Sequence, residues 1–93
     1  MTKIYISGKV TGLKNPQWKF ERTENHLKKL GYEVVNPTVL CEGMTSWRDA
    51  MKICIKHLLE CDAIYMQPDW VDSRGSKIEL KYAQKNGLEV IFE

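Results

Sequence analysis

Apolar residues fall in short clusters, separated by longer stretches where they recur every third or fourth position. Lys3-Ile4-Tyr5-Ile6-Ser7 is apolar and β-branched and predicts a first strand that Gly8 stops. Gly8 to Asn15 reads as a loop, and Asn15-Pro16 supplies an N-cap and a first-turn proline. Phe20, Leu27 and Leu30 share one face of a helix running from about Pro16 to Leu30, which Gly31 ends. Glu33-Val34-Val35 is a second strand, closed by Asn36-Pro37. A polar loop reaches Ser46, which forms an S-x-x-D start signal with Asp49. The next helix, Trp47 to about Glu60, carries Met51, Cys54, Ile55, Leu58 and Leu59 on its apolar stripe. Ala63-Ile64-Tyr65-Met66 is a third strand. After the loop Gln67–Gly75, a helix is expected from about Ser76 to Asn86, with Val90-Ile91-Phe92 as the last strand. The order βαβαβαβ predicts an α/β fold: a parallel sheet with helices on both faces and right-handed crossovers.

Composition narrows this picture. The chain has 93 residues, 43% hydrophobic and 28% charged, which suits one folded domain over residues 1–93. Fourteen Lys/Arg against twelve Asp/Glu leave +2, too weak a balance to imply a nucleic-acid polymer as partner. No apolar run approaches the roughly 20 residues of a membrane span, and Met1-Thr2-Lys3 leads into a strand rather than a signal peptide. Cys41, Cys54 and Cys61 cannot all pair within one chain, so a reduced, cytoplasmic protein is expected. A chain this short has little room for a closed pocket, and a second subunit completing the site is expected.

In open parallel sheets, ligands bind beyond the carboxyl ends of the strands. The loop after the first strand, Ser7-Gly8-Lys9-Val10-Thr11-Gly12, offers backbone amides, hydroxyls and one ammonium group to an anion. It is neither a Walker A loop nor G-x-G-x-x-G, and by itself the stretch reads more readily as a plain strand-to-helix turn. The loop after the third strand is richer, with Asp69, Trp70, Asp72, Ser73, Arg74, Gly75, Ser76 and Glu79 close together. Spacing alone makes Ser76 the helix cap and Glu79 the reciprocal member of a capping box. The rival reading places Glu79 at the cleft as a carboxylate nucleophile or base.

Other residues read more plainly. Cys54, His57 and Cys61 share a helical face but lack a fourth ligand and a C-x-x-C knuckle, so a core stripe with buried thiols is expected and no metal. His26 is expected to face solvent. Trp70 is placed to stack on a base or cover the cleft, whereas Trp18 and Trp47 are expected in the core or a subunit contact. Lys14, Lys19, Lys28 and Lys29 read as a solvated helix face.

Three segments together resemble a known superfamily: Lys3 to Gly12, Leu58 to Met66, and Trp70-Val71-Asp72-Ser73-Arg74-Gly75-Ser76-Lys77-Ile78-Glu79. They look like the nucleoside 2-deoxyribosyltransferase-like superfamily, and more closely its small domain-of-unknown-function branch. The resemblance implies a three-layer flavodoxin-like fold with a four-stranded parallel sheet and a retaining attack on an N-glycosidic bond. It makes Glu79 the nucleophile and Tyr5 the residue that orients it, with no cofactor. In that superfamily an acid six residues before the glutamate goes with free nucleosides, and a serine goes with nucleoside 5′-monophosphate hydrolases. Ser73, with Ser7, Gly8 and Lys9, therefore points towards a monophosphate.

One position departs from the family pattern. The second long helix usually carries an aspartate that assists the leaving base, and here that position is Cys54. A thiol does not replace a carboxylate as proton donor without a strongly shifted pKa. Either Asp69 or Asp72 takes the role, or the protein binds a nucleotide-like ligand without turning it over. The sequence thus leaves two enzyme outcomes, an N-glycosyl hydrolase or a deoxyribosyltransferase. It also leaves two non-enzyme readings, a nucleotide-binding or sensing module and a subunit-interaction domain.

Overall fold

The computed structural model describes the whole chain, Met1–Glu93. Strands β1 (Lys3–Ser7), β2 (Glu33–Val35), β3 (Ala63–Met66) and β4 (Glu89–Phe92) form one sheet in the order β2-β1-β3-β4. Every pairing is parallel, with Tyr5 opposite Val35 on one side and Ile64 on the other. Helices α1 (Pro16–Lys29), α2 (Pro37–Leu40), α3 (Trp47–Leu58) and α4 (Arg74–Lys85) connect the strands, with a 3-10 turn at Pro68–Asp72. No helix is long and apolar enough to cross a membrane.

Alternation along the central strands divides the core between the two sheet faces. Ile4 and Ile6 of β1 and Ala63 and Tyr65 of β3 pack on Phe20 and Leu27 of α1. Tyr5, Ile64 and Met66 point the other way, onto Cys54 and Leu58 of α3 and Ala83 of α4. Because β1 and β3 are buried on both faces, their sequences read as continuous apolar runs.

Helix ends follow local chemistry. Gly31 and Gly87 take positive φ and close α1 and α4 with paired bonds, Tyr32 N to Leu27 O and Leu88 N to Ala83 O being the longer-range member of each pair. Ser46 caps α3 by accepting from Asp49 N at 3.2 Å. Asn15 begins α1 without a side-chain cap, leaving Pro16 to set its start.

Three expectations are corrected here. The polar stretch after β2 contains a helical turn, α2, capped by Asn36, whose Oδ1 accepts from Thr38 N. Helix α4 begins at Arg74, with Ser73 rather than Ser76 as its cap; Ser73 Oγ accepts from Ser76 N at 3.1 Å. Glu79 then sits a turn deeper than a capping-box position and faces the sheet. Trp18 is 67% exposed and Trp47 is also exposed, so neither is a core residue of this chain. By contrast, Cys54 and Cys61 are buried and His26 is exposed.

Phe20, fully buried between α1 and the sheet, carries much of that face's packing. Phe20→Ala is expected to cost about 3–5 kcal/mol, against about 0.5 kcal/mol or less for Trp18→Ala on the same helix. Urea unfolding checks this: the midpoint should collapse in the first variant and barely move in the second.

Candidate functional site

The strand order reverses direction between β1 and β3, and the cleft of a doubly wound sheet lies at that point. Above it lies a cavity of about 1220 Å³. The loop after β1, the first turns of α1, residues of the Asn36–Cys54 stretch, and the start of α4 wall it. The volume exceeds the roughly 300–1,000 Å³ of an ordinary small-molecule pocket.

Glu79 lies at the floor of this cavity, 6% exposed. Tyr5 Oη donates to its Oε2 at 2.5 Å, and Ser7 Oγ donates to its Oε1 at 2.7 Å. Both donors come from the same face of β1, two residues apart, so the strand's period aims them at one carboxyl. No ion pair reaches Glu79; the three in the chain join Lys19 to Asp69, Lys28 to Glu24 and His57 to Glu60. Burial raises the Glu79 carboxyl to about 7, against the downward pull of the Tyr5 and Ser7 hydroxyls. Burial, and then the neighbouring Glu79, hold the Tyr5 phenol well above its ordinary range, so it stays a neutral donor.

The other sequence-selected residues divide into two groups. Gly8, Lys9, Asp72, Ser73, Gly75 and Ser76 line the cavity. Gly8 also sits against the buried Gln67 side chain, and a Cβ there would collide with the Gln67 amide nitrogen. Ser76 is 2% exposed, and its Oγ has no hydrogen-bond partner. Asp69 and Trp70 lie off the cavity wall. Asp69 Oδ1 accepts from Lys9 N at 3.0 Å, and its Oδ2 takes the Lys19 ammonium at 2.6 Å. Burial works to raise the Asp69 carboxyl, but Lys19 and the Lys9 amide outweigh it and hold it below the usual range. Trp70 packs on Phe92, with ring centroids 5.9 Å apart, rather than over the cleft.

Sequence reasoning missed three wall residues. Asn36 is buried and donates through Nδ2 to Glu24 Oε1 at 3.0 Å, which places an acid and an amide on the wall opposite α4. Burial opposes ionisation of Glu24, yet the Lys28 ammonium and the Asn36 amide together lower its pKa. Trp47 stands at the rim with the Arg74 guanidinium 5.0 Å from its ring centre, a cation–π contact between α3 and α4. The repeated Asn-Pro signal at Asn36-Pro37 could have flagged the first of these.

The domain of unknown function DUF4406 matches residues 2–92. The chain belongs to the DUF4406 family. No curated protein matches it. Among solved structures, the DUF4406 chain is similar to the 2-deoxyribosyltransferase of Bacillus psychrosaccharolyticus, with a TM-score of 0.77 and 20% identity over 97% of this chain and 70% of that one. It is also similar to the 2-deoxyribosyltransferase of Leishmania mexicana, with a TM-score of 0.78 and 22% identity over 99% of this chain and 63% of that one. The chain thus spans about two thirds of the length of these enzymes and has their fold, the flavodoxin-like α/β arrangement expected from the sequence.

The elevated Glu79 pKa has a consequence for stability. Between the ordinary glutamate value of 4.5 and about 7, the folded chain binds more protons than the unfolded one. Stability from this group is therefore full below about pH 4.5, falls as pH rises through about 7, and levels above that. The span corresponds to about 3 kcal/mol. Glu79→Gln should remove this slope, so urea midpoints of wild type and variant should diverge between about pH 5 and about pH 8, the wild type falling relative to the variant.

Proposed function

We propose that this domain cleaves the N-glycosidic bond of a nucleoside 5′-monophosphate, with Glu79 as nucleophile. The observation that carries the reading is a buried carboxyl with no cation and two hydroxyl donors, at the floor of a cavity at the sheet's reversal point. A structural role would not need an ionisable group there, and strongly perturbed acids in clefts are candidates for chemistry. The similarity to the 2-deoxyribosyltransferases adds a nucleoside as the substrate class.

In this mechanism a Glu79 oxygen attacks the anomeric carbon while the carbon–nitrogen bond to the base breaks, and the bonding pair leaves with the base. Tyr5 and Ser7 hold the carboxylate in line. The sugar is then an ester of Glu79, which water or a second base opens by attack at the same carbon. Water makes the domain a hydrolase, and a base makes it a transferase. Proton delivery to the departing base falls to Asp72, which stands exposed on the cavity wall. Asp69 is a poor candidate, because Lys19 keeps it ionised and it lies off the cavity. Lys9, Arg74, the Ser73 hydroxyl and the Arg74 and Gly75 amides that open α4 are the groups available to a 5′-phosphate, the Ser76 amide being taken by the Ser73 cap.

Cys54 supports a second reading. Burial, followed by Cys41 and Glu79 nearby and against the Tyr5 hydroxyl, pushes its thiol up to about 12, too weak an acid to help the base leave. On this reading the domain binds the monophosphate without cleaving it.

A panel of deoxynucleosides and their 5′-monophosphates, followed by mass spectrometry of free base and of the intact protein, separates the two. Cleavage predicts base release that Glu79→Gln lowers by on the order of 10³-fold or more. It also predicts a kcat/KM that climbs as pH rises through about 7, because only the carboxylate attacks. Saturable binding with no base release would leave the binding module, and base release unaffected by Glu79→Gln would remove Glu79 from the chemistry.

A second copy of the chain is the proposed completion of the site. Val39, Met44 and Trp47 are exposed apolar groups around the oversized cavity mouth. Light scattering should give at least a dimer, and Trp47→Glu should shift it towards the monomer. A monomer at every concentration would count against this arrangement.

A further inference from the structure

Two of the three cysteines meet in the wall of the Glu79 cavity. Cys41 Sγ and Cys54 Sγ are 3.3 Å apart across 13 positions of sequence. A disulfide bond is about 2.05 Å long, so closure needs a movement on the order of 1 Å. The two sides differ in their freedom to make it. Cys54 sits within α3, packed against Tyr5 and Leu58. Cys41 follows the single-turn α2 and opens the stretch Glu42–Asp49, every residue of which is exposed. The Cys41 thiol also donates to the Ala50 carbonyl at 3.7 Å, which leaves its sulfur to accept from the Cys54 thiol. Cys61 stands apart: it lies off this cavity, and its thiol donates to the His57 carbonyl at 3.3 Å.

We propose that Cys41 and Cys54 are a reversible redox modification site, closed to a disulfide by a hydroperoxide and reopened by a thiol reductant. Cys41 is the thiol that meets the oxidant, being the less buried member and part of the cavity wall. Its sulfur attacks one peroxide oxygen, the O–O bond breaks, and one water leaves with the Cys41 proton, giving a sulfenic acid. The Cys54 sulfur then attacks the Cys41 sulfur, the S–O bond breaks, and a second water leaves with the Cys54 proton. Two thiols and one hydroperoxide thus become one disulfide and two waters, or one water and an alcohol for an alkyl hydroperoxide. Cys54 is the second, resolving partner by position, being the more buried thiol and already 3.3 Å from the Cys41 sulfur, and its low acidity keeps it from meeting the peroxide first. The bond fastens the end of α2 to α3 and so fixes one wall of the cavity facing Glu79. None of this depends on the ligand, and its test uses no nucleotide.

Full-length reduced protein is treated with hydrogen peroxide, quenched by alkylation and read by intact mass and peptide mapping. The expected result is a loss of about 2 Da, a fall from three titratable thiols to one, and a single cross-linked peptide joining Cys41 to Cys54. Dithiothreitol should restore all three thiols. Cys41→Ser, checked for folding by circular dichroism, should keep both remaining thiols at the same peroxide dose. The proposal is overturned by a cross-link through Cys61 or by disulfides only between chains. It is equally overturned if Cys41 advances to the sulfinic acid while Cys54 is still a thiol. The wild-type peptide map decides these outcomes even if the variant does not fold.

Discussion

A carboxyl group is buried under the start of α4 with two hydroxyls and no cation to stabilise its charge, and much of the architecture follows from accommodating it. Burying a carboxylate is costly unless it is paired, so the group gives up part of its acidity instead. Its donors must come from a rigid element at fixed spacing, and β1 supplies them because it is central in the sheet and paired on both sides. Helix α4 must then enter at a depth that brings its second turn over the strand. The Ser73 cap and the 3-10 turn before it set that depth. An amide at position 79 would satisfy the same hydroxyls without the titration penalty, and that contrast makes a purely structural role for Glu79 uneconomical.

The sheet was legible in the sequence because its central strands are buried on both faces, which leaves unbroken apolar runs with polar ends. The start of α4 was not. Ser73 and Ser76 each have cap chemistry, and Ser76-x-x-Glu79 imitates a capping box. Local propensity favours the later start, and tertiary burial of Glu79 selects the earlier one. The pairing of Trp70 with Phe92 was equally hidden, since it joins a loop to the last strand and leaves no periodic trace. Glycosidic chemistry came from the resemblance of the segments around Tyr5 and Glu79, not from their spacing. The resemblance already set Tyr5 beside Glu79, and what only the structure supplies is that Ser7, 72 positions away, joins it on the other oxygen of the same carboxyl.

The acids at this end of the sheet are sorted by their partners. Asp69 is engaged by Lys19 and by the Lys9 amide, and Lys19 reaches back to the Lys9 carbonyl as well, at 2.8 Å. These contacts bind the loop after β1 to the loop after β3, so the two loops are held against each other by charge and hydrogen bonds. Glu24 is similarly tied to Lys28 and Asn36. Each paired acid is driven towards permanent ionisation, which suits a strut and removes it from proton transfer near neutral pH. Glu79 is driven the opposite way by burial without a cation. Separation of pKa values between neighbouring carboxyls is how one site assigns different roles to the same chemical group. Here the fixed charges build the frame, and the unpaired carboxyl at the reversal of strand order is left free to change its state.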